Sequence, residues 1–274
     1  MSLRQSKIQR GIFYLCEMTT TYKNAKVHYT NSGKGKPLVF LHGFLENSNM
    51  WKDLIQDLPK NHRSICIDLP GHGHTENFGY IHTMEDMADM VFYVLNSLEI
   101  ESAYVIGHSM GGYVALALAE KHPNMIEGLC LMNSTFEADS EERKEIRQRA
   151  IDMATTNYES LVRMSFANLF APESKDRFKS DYDFALSEAL KTSVQGYIAA
   201  QKGMMLRKNH LETLKQLGAK KVILIGQKDP VISGESIKKA VERSTIEIVE
   251  LSEGHMSHIE NKSELSYFIR RFIE

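Results

Sequence analysis

Apolar residues along the chain fall into two kinds of pattern. Short uninterrupted runs occur at 37–41 (PLVFL), 64–69 (SICIDL), 103–107 (AYVIG), 128–132 (GLCLM) and 221–226 (KVILIG). Each is closed by glycine, proline or asparagine at or just beyond its end. A run without polar alternation is the mark of a strand buried on both faces, as in a parallel sheet. Residues 24–29 (NAKVHY) and 245–251 (TIEIVEL) alternate and predict two further strands. Between the runs the period lengthens to that of a helix. Thr83 stands three residues before Asp86 as an N-cap pair, and Met87, Met90, Val91, Val94, Leu95 and Leu98 follow at helical spacing. The small-residue segment GGYVALALAEKH at 111–122 stops before Pro123, and the chain closes on a helix carrying Leu265, Phe268, Ile269 and Phe272. Strands alternating with helices imply crossover connections: an α/β fold, a mostly parallel sheet with helices on both faces.

One region breaks this rhythm. From Ser134 to about His210 no strand pattern occurs. Residues 138–154 predict a charged helix, 158–170 a more apolar one, and 181–207 one or two more. The organisation expected is a core of residues 18–133 and 211–274, a helical insertion at 134–210, and an N-terminal extension at 1–17. Met18 is an alternative start.

Composition narrows the partners. Lys+Arg is 33 against 35 Asp+Glu, a formal net charge of -2. Neither a nucleic acid nor an anionic membrane surface is implied, because both need clustered positive charge. No apolar stretch reaches the roughly 18–20 residues that cross a bilayer. The run GIFYLC at 11–16 falls short of the roughly 7–15 residues of a signal-peptide core, and no A-x-A cleavage site follows it. A cytoplasmic location is therefore expected. Cys16, Cys66 and Cys130 are far apart and form no C-x-x-C pair, so they read as small hydrophobes in a reducing compartment. His72 and His74, and His255 and His258, have ligand-like spacings, but neither H-x-H-x-D-H nor H-E-x-x-H occurs, and no metal or cofactor is expected. Asn133 and Asn261 open formal glycosylation sequons that mean nothing without a secretory signal.

The chemistry gathers around Gly107-His108-Ser109-Met110-Gly111. A buried strand ends at Ile106 and a helix begins after Ser109, which is the setting of a nucleophile elbow. The two glycines relieve crowding in a tight turn, and the serine hydroxyl stands at the carboxyl edge of the sheet, where open α/β sheets bind ligands. In this arrangement an acid and then a histidine follow the serine. His122 lies at the far end of the next helix and His210 at the end of the insertion. His255 follows the strand at 245–251, in a turn with Gly254 beside it, and is the base of choice; His258 competes. Asp229 comes directly after the strand KVILIG and its QK, in position to orient the histidine, although an aspartate before proline is also an ordinary turn residue. Backbone N–H groups of Met110 and of Phe44, in the loop after PLVFL, are the expected oxyanion donors. His42 reads as a brace for that loop.

Taken together, LHGF at 41–44, Trp51, DLPGHGHT at 68–75, GHSMGG at 107–112, GQKDP at 226–230 and EGHMSHIE at 253–260 resemble the α/β-hydrolase superfamily over nearly the whole chain. The nearest likeness is to small serine esterases and cofactor-free perhydrolases, with C–C bond hydrolases close by. The resemblance implies Ser109, Asp229 and His255 as the triad and makes 134–210 a helical cap. The dehalogenase and epoxide-hydrolase branches use an aspartate nucleophile, which Ser109 disfavours. HGFL in place of HGGG fits the smaller esterases rather than lipases. The function expected is hydrolysis of a small-molecule ester or related acyl substrate. C–C cleavage or lyase activity, thioester cleavage and perhydrolysis are alternatives on the same residues, and a non-catalytic ligand-binding protein is the other class. Met164, Phe170 and Met205 are the expected substrate-pocket residues of the cap.

Overall fold

The computed structural model describes residues 16–274. Among these, eight strands form one sheet: β1 (Cys16–Tyr22), β2 (Ala25–Gly33), β3 (Lys36–Leu41), β4 (His62–Ile67), β5 (Ala103–His108), β6 (Ile126–Met132), β7 (Lys220–Gly226) and β8 (Glu247–Leu251). Their order is β1-β2-β4-β3-β5-β6-β7-β8. β2 runs antiparallel to β1 and β4, and all other neighbours are parallel. The helices are α1 (Lys52–Asp57), α2 (Met84–Ser97), α3 (Met110–Lys121), α4 (Glu141–Ala154), α5 (Tyr158–Ala167), α6 (Ser174–Arg177), α7 (Lys179–Ala189), α8 (Val194–Met205), α9 (Leu211–Gln216), α10 (Gly234–Val241), α11 (Ser257–Glu260) and α12 (Lys262–Ile273).

All seven runs read as strands are strands. β1 is an addition: its Thr-rich sequence is half-buried in alternation and contains no apolar run. It takes in Cys16 and Glu17 of the expected extension, whose residues 1–15 lie outside the described residues.

The uninterrupted apolar runs are explained by the two layers they feed. Val39, Leu41, Ile65, Ile67, Val105, Leu129, Leu131, Ile223 and Ile225 join the cluster holding α2, α3 and α10. Their immediate neighbours Leu38, Phe40, Cys66, Tyr104, Ile106, Cys130, Met132, Val222 and Leu224 join the cluster holding α1 and α12. Successive side chains of a strand point to opposite faces, so both parities must be apolar. Each fully buried aliphatic chain contributes roughly 1.5–3 kcal/mol.

The topology creates the crevice. The connection after β3 runs through α1 on one face to β4; the connection after β5 runs through α3 on the other face to β6. β3 and β5 are adjacent, so the loops at their carboxyl ends diverge and leave a gap between them.

The stretch between β6 and β7 carries α4 to α9, of which α4 to α8 fall in 134–210, with α7 and α8 dividing the 181–207 segment in two. These helices have a core of their own, built on Leu161, Val162, Phe166, Phe170, Ala189 and Tyr197. The same cluster takes in Leu45, Met256 and Ile259 from the sheet's loops, which fastens the insertion to the main body. α8 sits backbone to backbone on the loop between β4 and α2. A Cβ on Gly203 would lie 1.6 Å from the His82 carbonyl oxygen, and one on Gly196 would lie 2.4 Å from that of Gly71. His82 N–H donates to the Ala199 carbonyl at 3.0 Å across this seam. Thr83 accepts from Asp86 N–H at 3.0 Å and so caps α2 as expected.

Candidate active site

Ser109 lies between β5 and α3 with φ 48 and ψ −113, a backbone conformation that costs about 1–3 kcal/mol for a residue with a side chain. The surroundings hold it there. Ser109 N–H donates to the Met132 carbonyl at 2.9 Å, and the Ser109 carbonyl accepts from Ser134 Oγ at 2.7 Å. Space dictates the glycines: a Cβ on Gly107 would sit 2.4 Å from the Gly111 carbonyl oxygen, and one on Gly111 2.2 Å from that of Leu41. The turn therefore thrusts the serine hydroxyl outward.

Three predicted residues meet here. Ser109 Oγ is 3.0 Å from His255 Nε2, and His255 Nδ1 is 2.8 Å from Asp229 Oδ2. The separations are within hydrogen-bond reach for proton transfer. Asp229 has four donors: Val231 N–H at 2.8 Å and Ile232 N–H at 3.0 Å on Oδ1, and Asn133 Nδ2–H at 3.0 Å beside the histidine on Oδ2. Burial pushes its carboxyl pKa up, but His255 and these donors outweigh burial and hold it below the usual carboxylate range. An ionised Asp229 only accepts, so His255 Nδ1 carries the proton and Nε2 is left to take one from the serine. Gly254 has no left-handed backbone. Its role is space, since a Cβ there would lie 2.6 Å from Ala171 N and 2.8 Å from the Glu260 carboxylate.

Asn133 was not singled out for chemistry. It stands at the end of β6 with φ 45, a conformation asparagine tolerates. Its amide bridges Asp229 and the Gly254 carbonyl, and its Oδ1 accepts from Ser257 Oγ at 2.6 Å. An asparagine closing the apolar run of β6 was the available signal; as a sequon it is buried at 1% exposure.

Behind the histidine lies an ion pair. His108 Nδ1 is 2.7 Å from Glu46 Oε2 and Nε2 is 2.9 Å from the His255 carbonyl oxygen. Both ring nitrogens face acceptors, so both carry protons and the ring is cationic. Burial lowers the His108 pKa, but Glu46 overrides this and raises it. Burial likewise pushes the Glu46 carboxyl up, while His108 draws it down to about 2. Glu46 also accepts from Gly43 N–H at 2.6 Å, and a Cβ on Gly43 would fall 2.5 Å from the same carboxylate. The left-handed residue of this loop is Leu45, at φ 64. His258, the competing base, is buried with its ring 5.8 Å from that of His108 and its Nδ1 unpartnered. Burial drives its pKa down to about 4. It makes no contact with Ser109.

His42 braces the loop as expected. Its Nε2 accepts from Leu69 N–H at 2.8 Å, so Nδ1–H donates to the Gly43 carbonyl at 2.7 Å. Phe44 and Met110 N–H groups have no protein acceptor among the described residues.

Ser109 and His255 open on a cavity of about 80 Å³, whose walls include Phe44, Tyr113 and Val231 from the main body. The insertion contributes Arg143 and Arg147 from α4, Ser165 from α5, then Leu169, and Met204 from α8. The three residues expected there do not line it. Met164 is 52% exposed, Phe170 is buried against Phe166 and Tyr182 in the insertion's own core, and Met205 yields to Met204. A larger cavity of about 280 Å³ lies alongside, sharing Leu45 and Glu46 but not reaching Ser109. We assign the chemistry to the smaller one because it holds the serine and histidine. Among the described residues no three His, Cys, Asp or Glu side chains come together as a metal site, and no helix is long and apolar enough to cross a membrane.

Residues 36–262 match the alpha/beta hydrolase fold family. The AB hydrolase superfamily protein YisY of Bacillus subtilis is 27% identical over 271 residues, covering 92% of this chain and 97% of that one. The (E)-2-((N-methylformamido)methylene)succinate hydrolase of Acinetobacter baylyi is 26% identical over 127 residues, 46% of this chain and about half (48%) of that enzyme. A thermophilic esterase from Thermogutta terrifontis, solved with malate bound, superposes with a TM-score of 0.85 at 26% identity, covering 95% of this chain and 98% of the other.

Proposed function

Because the chain belongs to the α/β-hydrolase family, we propose that it is a serine hydrolase of carboxylic esters or related acyl compounds, working through an acyl-enzyme. The observation that carries this reading is the unbroken relay from Ser109 Oγ through His255 to Asp229, at 3.0 Å and 2.8 Å, opening into a cavity. The esterase from Thermogutta terrifontis supports the ester as the bond cleaved.

Ser109 Oγ attacks the acyl carbon while His255 Nε2 takes its proton. Asp229 holds the ring in the Nδ1–H tautomer and stabilises the imidazolium. The free N–H groups of Phe44 and Met110 receive the oxyanion, worth about 2.7–4 kcal/mol per donor in comparable sites. The leaving group departs with the proton from Nε2. Water, deprotonated by the same nitrogen, then attacks the acyl carbon; the bond to Ser109 Oγ breaks, Oγ takes the proton back from Nε2, and the acid leaves. The insertion acts as a cap, and Ser165, Leu169 and Met204 shape the acyl pocket.

The test is an activity-based fluorophosphonate together with an activated ester. Wild-type protein is expected to be labelled and to turn over 4-nitrophenyl acetate, and Ser109→Ala to do neither. Turnover by Ser109→Ala within tenfold of wild type refutes the assignment.

A further inference from the structure

Two arginines line the cavity that holds Ser109 and His255: Arg143 and Arg147, four residues apart on one face of α4. Both also line an adjoining cavity of about 250 Å³, together with Arg207. Arg147 is buried, with Nε 2.6 Å from Asp139 Oδ2 and Nη1 donating to Gln201 Oε1 at 2.8 Å. Arg207 is buried as well, with Nη1 2.6 Å from Asp139 Oδ1, Nε donating to the Glu137 carbonyl at 2.9 Å, and its plane 4.2 Å above the Tyr113 ring. One buried carboxylate thus serves two buried guanidiniums. Arg143 is half-buried, and among the described residues no carboxylate pairs with it and its guanidinium makes no hydrogen bond; its backbone N–H donates to Ser140 Oγ.

Within the Ser109 cavity no free carboxylate cancels this charge. Glu46, the acid on the Ser109 cavity, is engaged by cationic His108 and Gly43 N–H. Glu137 lies on the adjoining cavity alone and accepts from Ser236 Oγ at 3.1 Å. Keeping two guanidiniums out of water against a single aspartate is costly unless another anion completes the set. A guanidinium presents a planar fork that fits a carboxylate with two parallel hydrogen bonds.

We propose that the substrate carries a carboxylate besides its scissile acyl bond, and that Arg143 binds this carboxylate, with Arg147 held by Asp139 and Gln201 as the fixed positive neighbour. This rests on the serine-hydrolase reading and narrows it to anionic acyl compounds. The rigid pair supplies a fixed field, and the unpaired Arg143 supplies the fork that closes on the ligand.

The experiment compares matched esters on the full-length protein. Mono(4-nitrophenyl) glutarate is set against 4-nitrophenyl pentanoate for a carboxylate on the acyl side. 4-Acetoxybenzoate is set against its methyl ester for one on the alcohol side. In at least one pair the charged ester is expected to have the higher kcat/KM, by about ten- to hundredfold, the range of hydrogen bonds to a charged group. That ratio is expected to fall with salt, to fall by about tenfold or more in Arg143→Gln, and to be partly restored in Arg143→Lys. Neutral esters preferred in both pairs, or a preference unchanged in Arg143→Gln, overturns the proposal. Arg143 has no partner to lose, so the variant is a fair test of binding, and a melting curve checks its fold. Fluorophosphonate labelling of Ser109 separates the two readings: labelling without charge preference sinks the anionic substrate alone, whereas no labelling sinks the hydrolase reading beneath it.

Discussion

Replacing Asp229 by asparagine should disable the site through one proton. Oδ1 accepts from two fixed backbone N–H groups, those of Val231 and Ile232, at 2.8 Å and 3.0 Å. An amide nitrogen turned toward them would set donor against donor, at about 1–3 kcal/mol for each bond lost. The asparagine oxygen therefore stays there, and its NH2 takes the place of Oδ2, 2.8 Å from His255 Nδ1. Asn133 can follow by turning its own amide: it gives up its 3.2 Å bond to the Gly254 carbonyl, while the Ser257 hydroxyl that it accepts from at 2.6 Å rotates to accept instead. His255 does not accommodate it. Its Nδ1 becomes an acceptor, its proton moves to Nε2, and that N–H points at Ser109 Oγ, 3.0 Å away. The base is then in the wrong tautomer. A loss of roughly 10⁴ in kcat is expected, about 5 kcal/mol of barrier, with KM little changed. Steady-state turnover of an activated ester measures this, and thermal melting confirms the fold. Asn133→Ala leaves the carboxylate and should cost no more than about tenfold. Asp229→Asn within tenfold of wild type, or Asn133→Ala as damaging as Asp229→Asn, would refute the tautomer argument.

The remaining expectations follow from the same geometry. His255→Ala should lose roughly 10⁴ or more in turnover and His258→Ala less than about tenfold, since only His255 touches Ser109; a reversed order in the same assay would assign the base to His258. Ser109→Gly should melt above Ser109→Ala by about 1 kcal/mol, because both lack the hydroxyl but only alanine retains strain at φ 48; a lower melt for glycine contradicts stored strain. Glu46 holds its proton less tightly folded than unfolded, so its contribution is present above pH 4.5 and lost as pH falls toward about 2. Denaturant titrations at several pH values should show a loss across that window larger by about 3 kcal/mol than in Glu46→Gln; equal slopes in both proteins would remove the buried ion pair from the account.

How much of this was legible depends on how local each feature is. The sheet strands were readable because a strand covered on both faces must be apolar at every position, as Leu38 to Leu41 and Val222 to Ile225 are. β1 escaped because an edge strand covered on one side has no such requirement, and threonines fill it. The meeting of Ser109, Asp229 and His255 was readable because each lies within four residues of the carboxyl end of a strand and the parallel sheet brings those ends to one edge. The Glu46–His108 pair was not. Its members are 62 residues apart, and nothing near either one announces the other. His108 was only the variable position of the elbow motif until the carbonyl of His255 and the carboxylate of Glu46 appeared on either side of it.

The pocket residues failed for a reason that bears on the substrate. Adjacent helical residues point about 100° apart, so a one-residue error in phase turns a wall residue into one facing elsewhere. The cavity takes Ser165 and Met204, each one position along its helix from an expected residue, and Leu169, beside Phe170 in the turn after α5. Reading the apolar stripe as the pocket assumes that a helix has one buried face. Here the helices have two demands. Phe166, Phe170 and Leu161 are consumed by the insertion's own core, which it needs in order to stand above the sheet. What remains to face Ser109 includes Ser165, Arg143 and Arg147, the polar side of the same helices. A wall left over after the core is satisfied would ordinarily be solvated; this one holds Arg147 at 8% exposure and anchors it to Asp139. Charge maintained in that position against the cost of desolvation argues that the helices are oriented for an anionic ligand, with the apolar residues of the insertion's core holding the arginines in place beside the acyl wall of Leu169 and Met204.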